Sequence, residues 1–266
     1  MFTKRLVSGI FLVILAILLV SRGGVPLYLT MAVISLIGLN ELYRVLKIDR
    51  TPLGAIGYVT VFAYYGLVWF DGEKFVTLMA IAALMVLMAI YVFAFPKYRT
   101  EEVTGAFFGV FYVAVMLSYV YQVRAMNDGR YLVWLIFISS WGCDTSAYCV
   151  GRLLGRHKLA PGLSPKKTIE GAIGGIAGAA LLGFVFAIFF GAHMDEVENP
   201  ELVCSLACAI AAVISQIGDL AASAIKRNHA IKDFGHLIPG HGGILDRFDS
   251  MLFTAPAVFF ALAFLR

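Results

Sequence analysis

Charged side chains are scarce in this sequence of 266 residues. Asp, Glu, Lys and Arg together make up 14% of it, whereas 61% of the residues are hydrophobic. Soluble domains carry about 25% charged residues. The composition therefore excludes an ordinary soluble protein and predicts an integral membrane protein.

Cysteine is also scarce, which excludes a disulfide framework. The four cysteines, Cys143, Cys149, Cys204 and Cys208, all lie in apolar stretches. Cys204 and Cys208 are spaced i, i+4 and could offer two thiolates to a metal. No Cys or His pair with zinc-site spacing accompanies them, so we interpret both as buried packing residues.

Soluble domains, long linkers and low-complexity segments are absent as well. The chain consists instead of nine apolar runs, which predict an all-α, polytopic integral membrane protein with about nine transmembrane helices. The first run follows Lys4 and Arg5 but lacks a small-x-small cleavage site, so we expect a retained helix rather than a signal peptide. The predicted spans are 6–20, 25–43, 53–70, 75–95, 104–123, 131–150, 169–191, 202–225 and 250–265.

Basic residues are distributed unequally between the two sides of the membrane. Alternating the nine spans assigns sixteen Lys and Arg residues to the side of the N-terminus and five to the other side. Because basic loops stay in the cytoplasm, we expect a multi-pass protein of the cell (inner) membrane, with its N-terminus inside and its C-terminus outside.

The two halves of the chain differ in where their charges lie. Residues 1–130 have few internal charges, and we interpret them as scaffold helices. Glu41 and Arg44, spaced i, i+3 at the end of the second span, are expected to pair or to reach the membrane surface. Residues 131–266 contain two charged cytoplasmic loops, near 151–168 and 226–249, and we interpret them as the catalytic half.

Two aspartates, Asp144 and Asp219, interrupt apolar runs of the second half. Acidic residues inside membrane spans are costly and usually face a polar cavity or a pairing partner. Both lie near the cytoplasmic ends of their spans, which favours a cavity. Pairing with a neighbouring arginine to fix helix packing is the alternative.

The start of the seventh span carries Ser164, Pro165, Lys166 and Lys167. Ser at the N-cap followed by Pro predicts a helix that begins here. Two lysines in a first turn oppose the helix dipole, which a bound anion would explain, although the positive-inside rule alone would also place them there. Four glycines further on form small-xxx-small pairs and predict close helix packing: Gly171, Gly174, Gly175 and Gly178.

The densest group of polar residues follows the eighth span. Asp219, Ser223 and Lys226 share one helix face, since they are spaced i, i+4 and i+7, and Asp246 and Asp249 share a face where the ninth span begins. Facing helices would bring Asp219 and Asp246 together around one or two hard cations. Ligand sets made only of oxygen favour Mg²⁺ over zinc.

A glycine-rich segment, Pro239–Gly243, lies between these two helices. Its glycines would allow backbone N–H groups to contact phosphate oxygens, whereas a flexible turn with a solvated histidine is the alternative. His229, His236 and His241 have spacings of seven and five, which fit no helical zinc pair.

These residues resemble the signature of the phosphatidate cytidylyltransferases (CDP-diacylglycerol synthases). The matching segment covers about residues 144–249, whereas residues 1–130 add only general hydropathy. The similarity is carried by Asp144, Ala147, Tyr148, Gly151, Arg152, Ser164–Thr168, Glu170, Gly171, Ser223, Lys226, Arg227, Lys232, Asp233, Gly235, Pro239, His241, Gly242, Gly243, Asp246, Arg247 and Asp249.

The resemblance implies transfer of CMP from CTP to phosphatidate, which gives CDP-diacylglycerol and pyrophosphate. It implies Mg²⁺, with room for a second cation, bound by Asp219, Asp246 and Asp249. Lys167, Lys226 and Arg227 would neutralise the phosphates, and Ser223 and His241 would orient them. The implied substrate-binding residues are Asp144, Lys166, Lys167, Lys232, Gly242, Gly243 and Arg247. The expected partners are CTP, phosphatidate and the lipid bilayer, with no nucleic acid; a homodimer is left open.

Two other functions fit parts of the same pattern. A CTP-dependent polyprenol or phytol kinase would attack the γ-phosphorus with an alcohol and would release CDP. A cation or phosphate transporter would use Asp144 and Asp219 within the membrane. A transporter would be expected to distribute its charges across the membrane depth and to show an inverted repeat, neither of which the sequence displays.

The predicted topology can be tested with a reporter enzyme fused after Arg266. With nine spans and a cytoplasmic N-terminus, the fusion is expected to be active only outside the cytoplasm. Activity confined to the cytoplasm would overturn the topology.

Overall fold

The computed structural model describes the backbone of residues 2–238, 240 and 242–265, and these residues are mainly helical. Seven helical segments of the described part are long and apolar enough to cross a membrane. They are α2 (Gly24–Val45), α3 (Pro52–Trp69), α4 (Val76–Phe93), the segment Thr100–Ala125, α10 (Ile169–Phe190, continuing to His193), α11 (Pro200–Asn228) and α12 (Leu245–Leu265). The prediction of an all-α polytopic membrane protein is confirmed.

The first and sixth predicted spans are helical but are not among these seven. The first forms α1 (Phe2–Arg22), of which Leu12–Arg22 is apolar. The sixth is divided into α7 (Gly129–Leu132), α8 (Trp134–Phe137), a π-helical segment (Ile138–Gly142) and α9 (Cys143–Leu154). The total of nine spans therefore stays a prediction.

A second π-helical segment, Val110–Val115, interrupts the fifth span between α5 (Thr100–Gly109) and α6 (Met116–Ala125). π-helical turns are rare, and they occur often at functional sites because they displace side chains from the regular helical positions. Both interrupted spans turn out to border the candidate site.

Helices α9 to α12 pack against one another, whereas α4 lies at the periphery with only Ala83 and Leu87 buried. The apolar side chains that α4 leaves exposed fit a surface in contact with lipid. Glycines allow α10 to approach α9 closely, because a Cβ atom at Gly174 would overlap Val150 and one at Gly178 would overlap Ser146. The predicted packing role of these glycines is thus confirmed.

The predicted helix start at Ser164 is wrong. Ser164–Thr168 forms strand β2, which pairs antiparallel with β1 (Lys158–Ala160), and α10 begins only at Ile169. Thr168 caps the helix, since its hydroxyl accepts a hydrogen bond from the amide of Gly171 at 3.1 Å. Pairing with β1 has overridden the local Ser-Pro signal, so Lys166 and Lys167 lie in a strand that precedes the helix.

The expectation that Glu41 reaches the membrane surface is wrong. Its side chain is buried, at 5% exposure, rather than directed to the membrane surface. Oε1 accepts a hydrogen bond from the amide of Ile244 at 3.0 Å, and Oε2 accepts one from the amide of Leu245 at 2.9 Å. A carboxylate at the start of α12 satisfies N–H groups that have no partner within the helix and complements the helix dipole. The first half of the chain therefore fixes where α12 begins.

Glycines at two positions make this contact sterically feasible. A Cβ atom at Gly235 or at Gly243 would overlap the carboxylate of Glu41. The loop between α11 and α12 therefore folds against α2 at the point where the Glu41 carboxylate reaches the amides of α12.

Replacing Glu41 with Ala is expected to destabilise the protein. The substitution leaves two buried amides without an acceptor, which costs about 1–3 kcal/mol for each unsatisfied group. The melting temperature in detergent should fall, and it should fall less in Glu41→Gln, which keeps one acceptor oxygen. Glu101→Ala is the control, since Glu101 is an exposed acid in the first turn of α5. Equal melting temperatures for Glu41→Ala and Glu101→Ala would contradict the capping role.

Candidate active site

A buried ion pair joins the end of α11 to the start of α12. Nζ of Lys226 lies 3.0 Å from Oδ1 of Asp246 and 3.9 Å from Oδ2 of Asp249. The side chains of Lys226 and Asp246 are 14% and 2% exposed. Lys226 also lies over the ring of Phe234, 5.3 Å from its centroid. Removing one partner of such a pair leaves a buried charge uncompensated, so the three charged residues depend on one another.

The second carboxylate oxygen of Asp246 organises the loop between the two helices. It accepts hydrogen bonds from the amides of Phe234 at 2.8 Å and of Gly243 at 3.0 Å. Gly242 adopts a φ of 83°, a conformation that glycine tolerates, and its carbonyl accepts a hydrogen bond from the amide of Ile238 at 2.9 Å. The amide of Gly243 is thus directed at a carboxylate, and contacts of Gly242 and Gly243 with phosphate stay a prediction.

A second ion pair connects the hairpin of β1 and β2 to α11. The ammonium group of Lys167 contacts the carboxylate of Asp219 directly. Asp219 also lies near Asp144 on α9 and Asp249 on α12, so that its negative charge repels the charges of these two carboxylates. The structure thus joins Asp219 to a lysine from another loop, and groups it with Asp144 and Asp249.

The residues Asp144, Lys167, Asp219, Lys226, Asp246 and Asp249 are called the charged cluster below. They come from α9, β2, α11 and α12, and their negative charges exceed their positive charges by two if all six are ionised. Excess negative charge in a partly buried site is costly, and it favours a cation or a cationic group of a ligand.

A polar cavity of about 310 Å³ opens beside the charged cluster. Asp144 lines it, as predicted, whereas Asp219 is not among its lining residues and pairs instead with Lys167. The cavity is of the size that small ligands occupy, roughly 300–1,000 Å³. Its other polar lining residues are Tyr148, Arg152, Lys166, Lys167, Thr168 and Gln216.

Some of these lining residues could have been found from spacing. Asp144, Tyr148 and Arg152 are spaced i, i+4 and i+8, so they follow one face of α9, and Arg152 donates a hydrogen bond to the Tyr148 hydroxyl at 3.2 Å. Gln216 lies one helical turn before Asp219, and its amide donates to the carbonyl of Ala172 at 3.1 Å. The sequence pattern does not indicate Gln216 as a site residue.

A second, apolar cavity of about 430 Å³ lies between α1, α2 and α12. Leu19, Leu27, Met31 and Met251 are among the residues that line it, and Arg247 is its one charged lining residue within the described part of the chain. Arg247 directly follows Asp246 in α12. The cavity therefore combines a hydrocarbon surface with a guanidinium group next to the charged cluster.

The remaining predicted site residues are more peripheral. Arg227 and Lys232 are exposed, as is Lys166, which lines the polar cavity, and Ser223 is half-buried on α11. His241 lies outside the described residues. Cys204 and Cys208 are fully buried, which confirms their interpretation as packing residues.

A magnesium site can be judged from the donor atoms that are present. Within residues 2–238, 240 and 242–265, no three His, Cys, Asp or Glu side chains form a cluster able to hold an ion. Mg²⁺, however, is commonly held by only one or two carboxylates together with substrate phosphates. The oxygens of Asp219 and Asp249, which interact electrostatically, fit a site of that kind.

Comparison with known proteins identifies relatives over almost the whole chain. The model of the cytidylyltransferase family matches residues 3–265. A protein of Bacillus subtilis named phosphatidate cytidylyltransferase is 32% identical, with 98% of this chain and 97% of the relative covered. Proteins of the same name from Staphylococcus epidermidis and Staphylococcus aureus are 32% and 29% identical, with 95% of both chains covered in each case.

Proposed function

This chain belongs to the cytidylyltransferase family, and on that premise we propose that it transfers CMP from CTP to phosphatidate, which yields CDP-diacylglycerol and pyrophosphate. One observation carries the proposal beyond family membership. The charged cluster shares Asp144 and Lys167 with the polar cavity, and it adjoins Arg247 of the apolar cavity. A reaction between a soluble nucleotide and a membrane lipid requires both kinds of surface at one site.

The reaction itself makes limited demands on the protein. An oxygen of the phosphatidate phosphate forms a bond to the α-phosphorus of CTP, and the bond from that phosphorus to the bridging oxygen of the β-phosphate breaks. The nucleophile is already an anion, so no side chain has to remove a proton from it. Catalysis then rests on holding two mutually repelling polyanions in line and on stabilising the charge of the departing pyrophosphate.

The basic residues of the site suit this electrostatic work. Lys167 is half-buried beside the polar cavity, and Lys166 and Arg152 line the same cavity. Ammonium and guanidinium groups form strong, charge-assisted hydrogen bonds to phosphate oxygens. We assign the polar cavity to CTP, with Lys166, Lys167 and Arg152 as contacts of its phosphates.

The lysines of the cluster would exchange partners when substrates bind. Lys167 and Lys226 now neutralise Asp219 and Asp246. Mg²⁺ held by Asp219, Asp246 and Asp249 would supply positive charge to the phosphates and the leaving group. Oδ2 of Asp246 is engaged by two loop amides and Oδ1 by Lys226, so Asp246 would offer Oδ1 to such an ion only after Lys226 turns away. With the ion bound, the carboxylates would no longer depend on Lys167 and Lys226 for neutralisation. The two lysines would then be able to contact phosphate oxygens of the substrates.

The apolar cavity suits the lipid substrate. Its hydrocarbon lining can hold part of an acyl chain, and Arg247 can bind the lipid phosphate next to the charged cluster. With the predicted topology, the site opens to the cytoplasm, from which CTP would enter while the acyl chains stay in the bilayer.

Activity can be tested with purified protein in detergent, given phosphatidate, Mg²⁺ and CTP that is labelled at either the α- or the γ-phosphate. We expect the α-label in a liponucleotide and the γ-label in pyrophosphate. A γ-label found in a lipid product, with release of CDP, would instead indicate a kinase.

Asp219→Asn and Asp246→Asn are expected to abolish product formation in the same assay, because each removes a charge from the proposed cation site. Asp195→Asn, at an exposed position in the loop between α10 and α11, is the matched control and should retain activity. Near-normal turnover by both cluster variants would contradict the metal assignment.

Arg247→Ala should raise the KM for phosphatidate by about tenfold or more, since a hydrogen bond to a charged group contributes about 1.5–3 kcal/mol. The KM for CTP should change much less. Arg50→Ala is the control, because the Arg50 side chain is 92% exposed in the loop between α2 and α3. An unchanged KM for phosphatidate in the Arg247 variant would remove Arg247 from the lipid site.

A further inference from the structure

Tyr112 carries a buried hydroxyl group that has no hydrogen-bond partner within the described part of the chain. The residue is 4% exposed, although it lies in the half of the chain that we had predicted to be a scaffold. Buried hydroxyl groups are nearly always hydrogen-bonded, and one that is not calls for a specific explanation. The Tyr112 hydroxyl is therefore available to donate a hydrogen bond to a ligand, provided that its position places it at the site.

The ring of Tyr112 is held firmly in place. It stacks on Phe108, with centroids 4.9 Å apart, and meets the ring of Phe253 edge-on at 6.2 Å. It also belongs to a cluster of buried side chains that includes Ala222 of α11 and Leu252 of α12. Because the ring is fixed by packing, its hydroxyl cannot simply turn toward another partner.

The position of the ring places its hydroxyl beside the charged cluster. Phe253 follows Asp249 by one turn of α12, and it also packs against Gly218, the neighbour of Asp219. Asp249 and Asp219 carry carboxylates that lie close enough to Tyr112 for their charges to act on its hydroxyl. Neither carboxylate, however, lies within hydrogen-bond distance of the hydroxyl.

The local backbone is consistent with a functional role. Tyr112 lies in the π-helical segment Val110–Val115, between α5 and α6. Such a segment gives up regular helical hydrogen bonds and shifts the positions of its side chains, and it is found often at functional sites.

We propose that the hydroxyl group of Tyr112 donates a hydrogen bond to a phosphate oxygen of the substrate bound beside Asp219 and Asp249. This inference rests on the proposed function, because the phosphate belongs either to CTP or to phosphatidate. A phosphate oxygen in the space near the two carboxylates gives the Tyr112 hydroxyl an acceptor. The hydroxyl in turn adds a neutral donor to the charged groups that hold the phosphate. No proton is transferred in the step, and the phenol stays protonated.

Tyr112→Phe is the appropriate test, since it removes the hydroxyl and keeps the ring. Tyr98→Phe is a matched control, because Tyr98 is 5% exposed and its hydroxyl likewise lacks a hydrogen-bond partner among the described residues, but it lies between α4 and α5, outside the segments that carry the charged cluster. We expect Tyr112→Phe to lower kcat/KM by about tenfold to a hundredfold, the loss expected for one hydrogen bond to a charged group. Tyr98→Phe should match the wild type.

Two further readouts separate a ligand contact from a structural role. The melting temperature of Tyr112→Phe without substrates should equal or exceed that of the wild type, because no hydrogen bond of the protein is lost. The rise in melting temperature that CTP or phosphatidate induces in the wild type should be smaller in the variant. A KM raised for CTP assigns the contact to the nucleotide, and one raised for phosphatidate assigns it to the lipid.

Wild-type kcat/KM in Tyr112→Phe would overturn the inference, and so would a lower melting temperature without substrates together with an unchanged substrate-induced shift. A wild-type protein that forms no CDP-diacylglycerol would instead overturn the proposed function. In that case the inference would stand if CTP or pyrophosphate stabilised the wild type but not Tyr112→Phe, and it would fall if both proteins responded alike.

Discussion

The buried contact of Lys226 with Asp246 and Asp249 is the interaction on which the candidate site depends. It ties the end of α11 to the start of α12, and through Asp246 it also fixes the loop between them. Charges buried in this way are stable only while all partners are present, because an unpaired ion in a low-dielectric region carries a large desolvation cost. The same arrangement keeps an ammonium group and two carboxylates at the point where phosphates would have to be bound.

The site is assembled from distant parts of the chain. Glu41 of α2 holds the first amides of α12, and Lys167 of the β1–β2 hairpin neutralises Asp219 of α11. Tyr112 adds an aromatic ring and a hydroxyl group from the fifth span. The division into a scaffold half and a catalytic half therefore understates what α2 and the π-helical segment contribute, since both form contacts with the segments that carry the charged cluster.

Much of the fold could be predicted from the sequence, because long apolar runs and the spacing of polar residues are local signals. The helical face shared by Asp219 and Lys226, and the turn shared by Asp246 and Asp249, are of this kind. The start of α10 was missed because the Ser-Pro signal at Ser164 competes with strand pairing, which depends on a partner strand.

Other contacts had no local signal at all. Glu41 contacts the start of α12 across 203 residues of sequence. In the sequence alone, an acid near the end of a span cannot be distinguished from one that lies at the membrane surface. Tyr112 resembles an ordinary packing aromatic, because its position opposite Asp249 arises from the packing of three helices.

The most direct test of the central claim is a double-mutant cycle on Lys226 and Asp246, read as the melting temperature in detergent. Lys226→Met alone should destabilise the protein strongly, since it leaves Asp246 buried without its cation. Adding Asp246→Asn should restore much of the lost stability, because the asparagine oxygen can still accept from the amides of Phe234 and Gly243 without a buried charge. Additive losses in the double variant would contradict the claim that this ion pair organises the site.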